Sequence, residues 1–352
     1  MRQTSGVKAE FPGLIKEFMD ELGQGILPFW LAFSVDNENG GFYARVDNHG
    51  RASSSAPKSL ILNTRILWSF SEAYSAFGKA EYRNMADRAY GYLHEYFYDR
   101  DYNGLYWLLN GHGVPLDDTK KVYGHAFMIY ALASYYRITG KRAVLDSAID
   151  LFKIIEGRFL DRKNNGYLEA TLRDWSEAED VRLSAIDMNE KKSMNAHLHL
   201  LEAYTNLFRV WRGIGLKKQL RNLLLIFRDH ILDPDTGHFN LFFDETWQIK
   251  GSHTSPGHDI EGSWLLFEAA EVLGDPGLMR EFKDISVRQA ASVLDHCIDK
   301  DGAIVYEIFP DGTMNREKHW WVQAEAIVGF MNAYELTGDK RFYRAMKEVW
   351  HY

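Results

Sequence analysis

The chain has 352 residues, 46% hydrophobic and 26% charged, with a formal net charge of −8. It is long enough to bury a large core, and its modest acidic excess argues against nucleic acid or an anionic membrane as partner, because both need a concentrated basic surface. Cys297 is the sole cysteine, which excludes an intrachain disulfide and cysteine-based metal sites.

Met1 to Gly23 lacks the apolar core of a signal peptide, and no stretch approaches the roughly 18 apolar residues of a membrane span, so a cytoplasmic protein is expected. A first helix is expected over about Phe11 to Leu22. Helical pairs follow at Leu60–Phe77 with Lys79–Phe97, Val122–Thr139 with Arg142–Phe159, and Met194–Gly213 with Leu216–Leu232. Two more are Ile260–Leu273 with Leu278–Leu294 and Trp320–Leu336 with Lys340–Trp350. Glycine and charged residues punctuate them, as in Thr139-Gly140-Lys141 and Leu273-Gly274-Asp275-Pro276.

Between the pairs a loop recurs. Asp36-Asn37-Glu38-Asn39-Gly40-Gly41-Phe42-Tyr43 returns in altered form at Asp101–Trp107, Arg162–Tyr167, Asp233–Phe239 and Asp299–Ala303. Gly41, Gly104, Gly166, Gly237 and Gly302 are spaced by 63, 62, 71 and 65 residues. Each loop reads as an Asx/Gly turn leading into a short extended piece. A helical pair at a fixed period signals stacked or ring-closed hairpins, here a single all-α domain over 1–352, a toroid of α/α hairpins. Eleven helices are one short of a six-hairpin ring, and a sixth glycine loop would fall at about position 367, so the toroid is expected to lack its last helix and sixth loop.

Four segments hold candidate chemistry. In Asn195-Ala196-His197-Leu198-His199 the two histidines point roughly 200° apart. His199 shares a polar face with Asn195, Glu202 and Asn206, whereas His197 falls among Leu200, Leu201 and Tyr204, as a core histidine would. In Gly257-His258-Asp259-Ile260-Glu261, His258 and Glu261 are one turn apart; a carboxylate there would orient the imidazole and raise its pKa, and the alternative is a helix cap with a structural ion pair. His319-Trp320-Trp321 opens a helix on which Trp321 and Glu325 share a face, although paired tryptophans also serve as core. Asn63-Thr64-Arg65-Ile66-Leu67-Trp68 sets one arginine in an apolar helix, where burial would demand a partner or a ligand oxygen. A metal reading of the H-x-H and H-x-x-E spacings is the minor one.

Asn63–Trp68, Ser193–Tyr204, Gly257–Leu266 and Trp320–Tyr334 together resemble the N-acylglucosamine 2-epimerase superfamily, most closely the cellobiose 2-epimerases. The resemblance implies an (α/α)6 barrel and His258 as a catalytic acid/base supported by Glu261. It implies Arg65 and His199 at the sugar's O1/O2 region, and Asp187, Trp321, Asn195 and Glu325 as substrate-binding residues, with no metal or cofactor. Ala196 replaces a threonine of the family pattern, Pro256 an aromatic before Gly-His-Asp, and His125 a glutamine. The family's second catalytic histidine sits in a Tyr-His-Asn segment that this sequence does not contain; His351 is not in that motif, so little or no epimerase activity is expected of the polypeptide as given.

The implied reaction is ring opening of a β-1,4-linked disaccharide (cellobiose, mannobiose or lactose), proton removal at C2 to a cis-enediolate, and reprotonation on the other face. Alternatives are an aldose–ketose isomerase, a hydrolase or lyase using Glu261 and Glu325, and a non-catalytic sugar-binding protein. The expected partner is a small oligosaccharide, and the expected state a monomer or weak homodimer.

Overall fold

A computed structural model describes residues 12–352; Phe11, the expected start of the first helix, lies outside them. The chain divides into two compact units, Met1–Asp118 and Thr119–Tyr352.

In the first unit, α1 (Pro12–Asp20) runs through a π-helical stretch, Glu21–Ile26, into α2 (Leu27–Phe33). The helical run therefore continues well past Leu22, where the sequence suggested a stop. Gly23 and Gly25 are absorbed in the wider π turns, and Pro28 sits in the first turn of α2. α3 (Leu60–Phe77) and α4 (Ala80–Tyr92) form a hairpin. Ser59 caps α3 by accepting from Leu62 N, and Gly78 ends it at φ 68°, a left-handed position that glycine occupies without a Cβ penalty.

The second unit repeats that hairpin. α5 (Val122–Thr139) packs on α6 (Arg142–Arg158), α7 (Met194–Val210) on α8 (Ile214–Ile226), α9 (Pro256–Leu273) on α10 (Pro276–His296), and α11 (Trp320–Thr337) on α12 (Lys340–His351). The odd-numbered members also pack on one another in order, α5 on α7, α7 on α9 and α9 on α11. They form an inner row and are apolar nearly all round, whereas α6, α10 and α12 keep a charged outer face. α9 begins four residues before the expected Ile260, because Pro256 presets the first helical φ and has no N–H to lose.

The recurring loops close as small antiparallel bridges, among them Val35 to Phe42, Leu160 to Tyr167 and Leu232 to Phe239. Each aspartate bends its loop: Asp161 accepts from Lys163 N and Asn164 N at 2.9 and 3.0 Å, and Asp233 from Asp235 N and Thr236 N at 2.9 and 3.2 Å. A lysine two residues before the helix, buried at Lys58 and Lys192 and half-buried at Lys318, then ties loop to helix. Lys58 Nζ reaches Asp36 at 2.7 Å, Lys192 Nζ reaches Asp161 at 2.9 Å, and Lys318 Nζ reaches Asp299 at 2.8 Å.

The fourth residue of each inner helix adds a second tie. His197 Nε2 accepts from Tyr167 N at 2.9 Å while Nδ1 bonds Ser193 O at 2.7 Å. Gln323 brackets Ile304 through both amide atoms, each at 2.9 Å, and Asp259 accepts from Phe239 N at 2.8 Å. His125, which stands where the family pattern has glutamine, occupies this same position; it is fully buried, with Nδ1 2.8 Å from Lys121 O. His197 is thus a core histidine with both ring nitrogens satisfied. Among the described residues no helix is long and apolar enough to cross a membrane.

Candidate active site

The inner helices of the second unit share one register. Their second and sixth residues are Tyr123 and Phe127 on α5, Asn195 and His199 on α7, Gly257 and Glu261 on α9, and Trp321 and Glu325 on α11. Residues four apart stack on one helix face, so equivalent starts deliver equivalent positions to one place.

His199 is the centre of this cluster. Its Nδ1 lies 3.0 Å from Glu202 Oε2, one turn on, and its Nε2 lies 3.8 Å from Glu261 Oε1 on the next helix. The rings of Phe127 and Tyr123 flank it at 4.7 and 5.1 Å between centroids. His199 is buried, so two carboxylates and two aromatic rings fix its orientation. Asn195, one turn earlier, has a buried Oδ1 with no hydrogen-bond partner.

His258 enters from the third position of α9. Its ring stands 4.9 Å from that of Trp321 at 52°, and its Nδ1 is 2.7 Å from Ser255 Oγ. Trp321 fits there because position 257 is glycine: a Cβ would meet the tryptophan ring at 2.6 Å. Burial, then the nearby imidazoles of His199 and His253, lower the His258 pKa to about 3. The sequence suggested the opposite direction, from a carboxylate beside the ring. Glu261 instead faces His199, and burial dominates. His258 is therefore a neutral imidazole in ordinary buffers, with a ring nitrogen open to a proton but weakened as a base by the same burial.

Glu325 accepts from Trp264 Nε1 at 2.9 Å. Asp187 is half-buried in the loop before α7, where its carboxylate accepts from Ser184 N and Oγ, both at 2.8 Å. Burial and the charges of Glu307, Asp187 and Glu317 raise the Tyr306 pKa, and that phenol stacks on His319 at 3.7 Å. Arg65, sixth residue of α3 in the first unit, is exposed, whereas its neighbours Thr64 and Ile66 are buried. The paired tryptophans are not core: Trp320 is 78% exposed and Trp321 half-buried, since they precede the inward-facing Val322 and Gln323.

The sequence singled out neither Tyr123, Phe127 nor Ser255. The first two were accessible by counting from each helix start, as for His199. His197 and His199 point apart as expected, and among the described residues no group of three or more His, Cys, Asp or Glu side chains is arranged to hold a metal.

Residues 41–352 match the family model for N-acylglucosamine 2-epimerase. A cellobiose 2-epimerase of Bacteroides fragilis is 46% identical over 340 residues, covering 96% of this chain and 86% of its own. A solved cellobiose 2-epimerase from Bacillus thermoamylovorans superposes with a TM-score of 0.92 at 40% identity, over 96% of this chain and 86% of that one. A solved D-mannose isomerase, 23% identical, shares the fold alone, with a TM-score of 0.83 over 97% of this chain and 87% of its own. Helical-toroid fold and relatives together define the class, a carbohydrate epimerase. Within that class, the chain belongs to the N-acylglucosamine 2-epimerase family.

Proposed function

We propose that the protein acts at C2 of the reducing-end sugar of β-1,4-linked disaccharides such as cellobiose, mannobiose or lactose, with His258 as the base. The observation that carries this is a half-buried imidazole packed against Trp321, in the same cluster as a histidine held between two carboxylates. Its similarity to cellobiose 2-epimerases supports the substrate class.

In the open-chain sugar the C1 carbonyl acidifies the C2 proton. The C2–H bond breaks, the proton bonds to the free ring nitrogen of His258, and the electron pair enters a C1–C2 enediolate. His199, held by Glu202 through Nδ1, turns Nε2 toward the O1/O2 side of the sugar. Asn195 Oδ1 offers an acceptor to a sugar hydroxyl, and Trp321 packs on the ring. Water delivers a proton to the opposite side of C2 to give the epimer, and His258 returns its proton to solvent.

Incubation with cellobiose, mannobiose and lactose in deuterated water, followed by NMR, tests this. Deuterium at C2, in the epimer or in recovered substrate, supports the reading and overturns the expectation of little or no activity drawn from the sequence. Sugar that stays unlabelled overturns the proposal, and a ketose as main product reassigns the chemistry to aldose–ketose isomerisation.

A further inference from the structure

Three inner helices begin after a serine, and one of these serines behaves differently. Ser59 accepts from Leu62 N and Ser193 from Ala196 N, each at 3.1 Å, so both hydroxyls cap their helices. Ser255 is the N-cap of α9 yet makes no side-chain cap bond. Its hydroxyl, buried with the residue at 7% exposure, lies 2.7 Å from His258 Nδ1 instead. Backbone class does not separate the three: Ser255 at φ −112°, ψ 94° is extended, as Ser59 and Ser193 are, and the difference is where the hydroxyl is turned.

We propose that Ser255 is a positioning residue that accepts a hydrogen bond from His258 Nδ1–H and so leaves Nε2 as the proton-transfer nitrogen. The assignment of His258 to C2 rests on the function proposed above; the hydrogen-bond direction does not. A hydroxyl can donate to or accept from a neutral imidazole, but only accept from an imidazolium. An Nδ1–H donor is the one arrangement that survives when His258 takes up a proton, so the ring need not turn during the cycle.

The test combines histidine-labelled 15N NMR with kinetics. In the wild-type protein, His258, assigned by its loss in His258→Asn, is expected to carry its proton on Nδ1. Ser255→Ala is expected to mix the two tautomers and lower kcat about tenfold with KM within about twofold, and Ser255→Thr to restore both. A wild-type proton on Nε2 overturns the proposal, as does Ser255→Ala with unchanged tautomer and kcat. The wild-type NMR result decides even if Ser255→Ala fails to fold. It also decides if no disaccharide is turned over, an outcome that counts against the function alone.

Discussion

His199 Nδ1 lies 3.0 Å from Glu202 Oε2, and this contact sets which nitrogen of His199 faces the site. With its Nδ1–H donated to Glu202, Nε2 points toward Glu261 on α9. Replacing the carboxylate by an amide keeps the size and removes the charge. Glu202→Gln is therefore expected to lower kcat/KM between about tenfold and a hundredfold, the worth of a charge-assisted hydrogen bond, with an unchanged circular-dichroism spectrum. Activity within about twofold of wild type would show that His199 is oriented by its aromatic flanks alone.

His197 offers a different readout, stability against pH. Burial lowers its pKa from 6.5 to about 4, so between those values the unfolded chain binds a proton that the folded chain refuses. Stability is lost as pH falls through that window, at up to about 1.4 kcal/mol per pH unit for one proton. His197→Gln keeps the kind of tether that Gln323 provides and removes the titration. Its acid limb in urea denaturation is expected to be flatter by about one proton. Glu169 works in the other direction: burial raises its pKa from 4.5 to about 8, so its contribution is complete below 4.5 and lost as pH rises toward 8.

Much of this architecture was legible in the sequence, and the boundaries show why. The limits of α3 and α5 agree with those expected, because left-handed glycines, Gly78 and Gly140, end them and because these elements are written locally. The opening helix was misjudged since Gly23 and Gly25 carry the signature of a break, and only packing decides that a π turn bridges them. The direction of the His258 shift was also out of reach. It depends on burial and on His199 and His253, which the chain brings together from different elements. The placement of Glu261 against His199 is a contact between α7 and α9 that no i,i+3 count contains.

The Lys192–Asp161 pair shows what the repeated loops cost and supply. Lys192 is fully buried, donating to Asp161 and to the carbonyls of Asn165 and Glu245 at 2.6 and 2.7 Å. Burial pushes the Asp161 pKa up, but bonds from Lys192 and the backbone of Asn164 and Lys163 outweigh it and hold the group at about 2. Lys192→Met leaves that carboxylate and two carbonyls without their donor. A loss of roughly 3–5 kcal/mol is expected, read from the urea midpoint. The double variant Lys192→Met/Asp161→Leu should recover part of it, because the unpaired charge goes too.

Adjacent tryptophans on α11 separate ligand packing from surface. Trp321 reaches the His258 ring through the space that Gly257 leaves, whereas Trp320 is 78% exposed. Removing an aromatic face that packs on sugar costs binding more than chemistry, but here the same ring also bounds His258. Trp321→Ala is therefore expected to raise KM about tenfold and to lower kcat as well, since His258 gains freedom to leave its rotamer. Trp320→Ala, on the same turn, should change neither beyond about twofold. Equal effects from the two substitutions would mean that α11 contributes to the site only through its fold, and that Trp321 does not touch the sugar.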